Sequence, residues 1–269
     1  MSDPDAPPAA RPRAGRPRAG RPTAADFRAR HRGGGLFTET VNQRLGAYAA
    51  VLAHRSRLAP STLTLVNLGI GLGASAVVVL HAPALAAGTV RPWTVGLLAL
   101  LAWQLAYSLD CADGQLARVT GQAGPAGARV DILCDVAVQI GLVAAVSAVA
   151  GAFTPDLPVW FVAVFAGTWM INLVTSVLAS GAAAGSLVSS GSPVVRLVKL
   201  SRDYGAVVTV VGLVLAFVPA WTVWLMVAFS LFNGLFLVAS IAQSALRSGL
   251  VAPSTEPVAP PAGLDAKRR

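Results

Sequence analysis

The chain has 269 residues, 55% of them hydrophobic and only 12% charged, with a formal charge of +9 at pH 7. A mean hydropathy of +0.64 excludes an ordinary soluble domain and places the chain in the membrane class. The positive balance does not indicate nucleic-acid binding. Much of it sits in Arg11, Arg13, Arg16, Arg18 and Arg21, within a Pro/Gly-rich repeat that cannot form a packed core.

Residues 1–35 are predicted to be a disordered basic arm, without the apolar stretch of a cleavable signal. Beside a membrane such an arm attracts anionic lipid, at about 1 kcal/mol per charge near the surface. Residues 36–58 are predicted to form an interfacial amphipathic helix. Phe37, Val41, Leu45, Tyr48 and Leu52 recur at helical spacing as one apolar stripe, with Asn42, Arg44 and His54 off it. The stripe is expected to lie on the inner leaflet, the alternative being a cytosolic helix packed on the body. After Pro60 come six predicted transmembrane helices, at 61–82, 93–118, 127–151, 157–181, 203–218 and 220–246, from apolar stretches near the roughly 20 residues that cross a bilayer. The expected fold class is therefore all-α integral membrane, with a six-helix transmembrane domain over 59–247. The fifth helix is short and parted from the sixth only by Val218 and Pro219, so one long hairpin is the alternative there. Residues 248–269, with four prolines, read as a disordered tail. Gly69 with Gly73, and Gly181 with Gly185, are spaced for close helix packing. No strand precedes the glycines at 69–73, which argues against a nucleotide loop. His31, His54 and His81 lack metal-ligand spacing.

Lys and Arg placement sets the orientation. With six spans and both termini cytoplasmic, all but Arg91 of the 21 basic residues fall inside. Trp93, Trp160, Trp221 and Trp224 fall at the outer ends of even-numbered helices, as an aromatic belt does. Cys111 and Cys134 then face a reducing compartment, which disfavours a disulfide and leaves small-residue packing as their role.

Between residues 60 and 250 the acids are Asp110, Asp113, Asp131, Asp135, Asp156 and Asp203. The first four form one bipartite run between two apolar stretches. An ionisable group at membrane depth costs roughly 2.5–3.5 kcal/mol on insertion scales, so four together require something to offset them. A hard divalent cation, which takes oxygen ligands, is the usual offset. Asp110 and Asp113 share one helix face, as do Asp131 and Asp135. Two antiparallel helices joined by the loop at 119–126 bring the two pairs together. Gly114, Ala117 and Gly127 leave room beside them, and a two-metal site suits displacement at phosphorus. Asp203 is expected to pair locally with Arg202. Arg129, Arg196, Lys199 and Arg202 lie at the predicted level of the site and could clamp a phosphorylated acceptor. Their alternative role is to set topology or meet lipid phosphates.

The run Asp110, Asp113, Gly114, Ala117, Arg118, Gly127, Asp131, Asp135 matches D-x2-D-G-x2-A-R-x8-G-x3-D-x3-D at every fixed position. It resembles the signature of the CDP-alcohol phosphatidyltransferase family, and the stretch from Pro60 to Thr64 is similar to that family's start of span one. The resemblance covers about 36–247. It implies a membrane enzyme that moves a phosphatidyl or similar phospho-alcohol group from a CDP-linked donor to an alcohol and releases CMP. By the same resemblance Asp110, Asp113 and Asp131 are metal ligands, and Asp135 is a ligand or the general base. Gly114, Ala117 and Arg118 shape the CDP site with Gly127 close by, Mg²⁺ or Mn²⁺ is the cofactor, and a homodimer is expected. High Ala, Gly and Arg usage points to a GC-rich bacterial source, and so to CDP-diacylglycerol as donor and the cell membrane as location. The other readings are a transporter or ion pathway, a diphosphate-binding prenyltransferase and an inactive relative. Internal repeats are missing, only one compact Asp motif occurs, and every motif position is intact.

Overall fold

The computed structural model describes residues 21–31, 34–179 and 203–247. It is helical throughout, with no strand among these residues. The elements are α1 (Ala24–Arg28), a π-helical turn (Thr38–Asn42) running into α2 (Gln43–Arg55), α3 (Pro60–Ala86), α4 (Pro92–Thr120), α5 (Pro125–Phe153) and α6 (Val159–Ala179). Then follow α7 (Tyr204–Phe217), a 3₁₀ turn (Pro219–Trp221) and α8 (Thr222–Arg247).

Local chemistry fixes these boundaries. Pro60, Pro92 and Pro125 each occupy the first turn of their helix, where a missing N–H costs nothing. Gly121 closes α4 in the left-handed conformation, with φ of 72°. The helices α3, α4, α5 and the stretch Pro219–Leu246 are long and apolar enough to cross a membrane, whereas Val159–Ile171 and Tyr204–Phe217 are shorter apolar helices. Trp93, Trp160, Trp221 and Trp224 are all exposed, at or near the starts of α4, α6 and α8. The tail at 248–269 and the glycines at 181 and 185 lie outside the described residues.

The core is shared by α3 through α8 around Val78, Trp103, Leu142, Val146, Phe165, Leu215 and Met226. Helix α3 packs along both α4 and α5, while α4 and α5 make no extended contact of their own. Two consecutive helices therefore flank a gap, with α3 as its back wall. Close approach relies on glycines other than those expected. A Cβ at Gly71 would meet Val138 at 2.8 Å, and one at Gly96 would collide with the Ala216 backbone. Gly69 and Gly73 have nothing within 4 Å and face outward. The i, i+4 spacing was real, but it fell on the outer face of α3, and the contact uses the residue between.

A second, smaller cluster holds α2 to the bundle through Ala47, Ala50, Ala53, Leu63, Ala112 and Leu116. Here Gly46 lies against α4, since a Cβ there would meet the Ser108 carbonyl at 2.8 Å. Amides complete the seam: Asn42 Nδ2 donates to Gln104 Oε1 at 2.7 Å, and Gln115 Nε2 to Gln43 Oε1 at 2.6 Å. Leu45, Tyr48 and Leu52 face outward as the stripe requires. Phe37 and Val41 are half-buried instead, because the extra residue of the π-turn rotates them off that line.

Part of the segment expected to be a disordered arm is ordered. Thr23 and Asp26 form a capping box on α1, and these bonds from the Thr23 backbone and hydroxyl hold the Asp26 carboxyl below its usual range. Phe27 is fully buried in the α2 cluster and meets His54 edge-on, with ring centroids 6.1 Å apart. A composition average over 35 residues hides one aromatic anchor followed through by one cap.

Candidate active site

The end of α4 and the start of α5 carry the four aspartates, on either side of the gap backed by α3. Asp110, Asp113 and Asp131 each offer an oxygen atom, and these atoms all lie within 4.8 Å of one another. Asp135 stands outside that set, and both it and Asp131 lie close to Asp110. Oxygen donors this close are the donor chemistry of Mg²⁺ and Mn²⁺. Asp131 Oδ1 is buried with no hydrogen-bond partner, as fits a ligand atom.

Helix α3 orients two of the carboxylates. Thr64 Oγ1 donates to Asp113 Oδ2 at 2.5 Å, and Asn67 Nδ2 donates to Asp110 Oδ1 at 3.2 Å. These second contacts fix which oxygens face the gap, as partners of metal ligands do. Thr64 fell inside the sequence stretch likened to the family; Asn67 did not. The signal for both was their position one turn apart on the buried face of a helix that enters at Pro60.

The remaining motif residues lie around the same mouth. The Arg118 guanidinium covers Gly114, whose added Cβ would sit 3.0 Å from an Arg118 Nη. Arg118 Nε donates to the Arg30 carbonyl at 2.5 Å, so the N-terminal segment reaches the motif itself. Nothing lies within 4 Å of a Cβ at Gly127, and Arg129 is exposed on the next turn. Ala117 is half-buried beside Arg118. Arg196, Lys199 and Arg202 lie outside the described residues. Cys111 and Cys134 are buried, with free thiols.

Arg202, the local partner expected for Asp203, lies outside the described residues, and the Asp203 bonds that are described run elsewhere. Only 3% exposed, Asp203 accepts from the Phe37 and Thr38 backbone N–H groups at 2.8 and 3.0 Å, from Thr38 Oγ1 at 2.5 Å and from Gly205 N–H at 3.1 Å. Thr38 Oγ1 in turn meets the Tyr107 hydroxyl at 3.2 Å, and Tyr107 packs edge-on against Tyr204 with centroids 4.8 Å apart. The clasp joins the π-helical turn before α2, the start of α7 and the turn of α4 before Asp110. Its bonds run from residue 203 back to 37 and 38, a separation no local pattern signals.

Spanning-length apolar helices around a carboxylate cluster suited to a divalent cation define a helical membrane protein with a candidate metal centre. The family profile described as CDP-alcohol phosphatidyltransferase matches residues 57–234, more than half of the chain, and the chain belongs to that family. It is thus an enzyme of phosphatidyl transfer in phospholipid synthesis, which sets aside the transporter and prenyltransferase readings. No curated protein matches the chain.

Proposed function

We propose that this enzyme transfers the phosphatidyl group of CDP-diacylglycerol to a small alcohol and releases CMP. It would do so as a six-span protein of the cell membrane, with α2 on the inner leaflet and both termini and the site cytoplasmic. The observation that carries the reading is the close set of Asp110, Asp113 and Asp131 oxygens inside the family's motif, beside the buried, unpartnered Oδ1 of Asp131.

Those three residues are the proposed ligands of Mg²⁺, with Mn²⁺ as the alternative and two ions suiting the chemistry. When bound, the metal offsets the negative charge of the donor pyrophosphate and of the departing CMP. Asp135, beside but outside the close set, takes the proton of the acceptor hydroxyl. The freed oxygen forms a bond to the phosphatidyl phosphorus. The pyrophosphate P–O bond breaks, and CMP leaves with its electron pair. Arg118, held over Gly114 by the Arg30 carbonyl, presents its fork to the CDP moiety. Ala117 and Gly127 keep the mouth free of bulk. Arg129, Arg196, Lys199 and Arg202 are the proposed clamp for a phosphorylated acceptor, and the family likeness adds a homodimer.

The test is CMP release by detergent-purified protein with CDP-diacylglycerol, Mg²⁺ and a panel of inositol phosphate, glycerol phosphate, serine and inositol. Release that depends on one acceptor supports the reading and names the acceptor. Asp135→Asn is expected to lower kcat by roughly 10²–10⁴, the usual contribution of a general base, while metal-dependent CDP binding persists. An Asp135→Asn enzyme with wild-type kcat would remove it from the reaction. Chelation is expected to abolish release and added Mg²⁺ to restore it.

A further inference from the structure

A cavity of about 400 Å³ opens between the N-terminal segment and α2, away from the aspartates. Its walls include Arg21, Thr23, Tyr48, Val51, Leu52 and Arg55, none of them a motif residue. Two properties of this wall are chemically distinct. Tyr48 and Leu52, 69% and 67% exposed, belong to the outward stripe that continues to Leu45. Arg21 and Arg55 both line the same space, and among the described residues neither meets a carboxylate.

Each guanidinium is a planar fork that matches phosphate oxygens, and is less strongly hydrated than an ammonium group. Two forks over one cavity suit a phosphodiester better than a chloride or a lone carboxylate. A zwitterionic headgroup would bring its own cation up against them. An apolar rim that runs on into Leu45 suits acyl chains and does nothing for a soluble anion. The segment that carries Arg21 is pinned by Phe27 and the α1 capping box, so the cavity persists without its ligand.

We infer that this groove binds one anionic phospholipid, its phosphate between Arg21 and Arg55 and its chains along Leu52 and Leu45. The inference rests on α2 facing the leaflet, as proposed above, and not on the chemistry of the aspartates. The lipid is a bound component of the cytoplasmic face, distinct from donor and product.

Native mass spectrometry of the detergent-purified full chain tests this, with phosphatidylglycerol and phosphatidylcholine as probes. One phosphatidylglycerol is expected to stay bound where phosphatidylcholine does not. The double variant Arg21→Gln, Arg55→Gln is expected to bind it about thirtyfold more weakly, from two basic residues at the value each is worth near an anionic surface. Arg44→Gln, which removes an exposed charge of α2 outside the cavity, is the control and should bind as the wild type does. Equal binding by the double variant, equal loss in Arg44→Gln, or retention of phosphatidylcholine to the same degree would each overturn the groove. So would displacement by millimolar inorganic phosphate, the mark of a soluble-anion site. The leaflet reading has its own probe, a nitroxide on Leu45→Cys in a Cys-free background in lipid nanodiscs. Bilayer-like oxygen accessibility there without selective lipid retention would sink the groove and leave that reading standing.

Discussion

Thr64 and Asn67 hold two of the four carboxylates from a helix that contributes no acid of its own. Residues in this position typically alter metal affinity 10–100-fold when removed. Thr64→Val is therefore expected to raise the Mg²⁺ concentration for half-maximal CMP release by about 10–100-fold, with a smaller effect on kcat at saturating metal. A Mg²⁺ titration of the initial rate checks it, and Asn67→Leu should move the same quantity in the same direction. Eight fixed positions at defined spacing made the aspartate run itself legible in the sequence. Their partners were not, because a threonine and an asparagine in an apolar helix look alike whether they face a neighbouring backbone or a carboxylate one helix away.

Among the α-helices, α1 is the shortest and the one composition argued against. Its attachment depends on Phe27, fully buried among Ala47, Ala50, Ala53, Leu63, Ala112 and Leu116. Truncation of a buried Phe costs about 3–5 kcal/mol, more than a five-residue helix can recover from its cap. Phe27→Ala is expected to release residues 23–31, seen as fast amide exchange there with slow exchange retained in α3 and α4. Since Arg118 is bonded to the Arg30 carbonyl, the same variant should raise KM for the CDP donor more than it lowers kcat. The longer helices were legible to within a few residues, because proline at the first turn and apolar length are local signals. Their mutual contacts were not. Gly71 rather than Gly69 or Gly73 lies in the α3–α5 contact, since the face a helix turns inward is settled by its neighbours.

At the scale of the molecule, four helices among the described residues have spanning length, and α6 and α7 carry shorter apolar runs. The six-span arrangement places 180–202 on the same side as the aspartates; a four-span one places it opposite. Ser190→Cys, with Cys111 and Cys134 replaced by Ala, is expected to resist a membrane-impermeant maleimide in intact cells and to react once they are opened. Reaction in intact cells would remove Arg196, Lys199 and Arg202 from the acceptor clamp. Charge placement predicts a topology, but it counts residues in loops and is silent on whether a short helix crosses.

Asp203 also bears on the order in which the protein is made. Its bonds to Phe37 and Thr38 span 166 and 165 residues. When α2 leaves the ribosome, the carboxylate that will anchor its first turn is still most of a chain away. Until α7 is in place, three buried-to-be donors at Phe37 and Thr38 must be satisfied by water, each at a cost of roughly 1–3 kcal/mol if it is buried unpaired. This face of the bundle can thus close only once α7 has been made. A chain truncated before residue 203 should insert its first spans and still leave α2 open to protease.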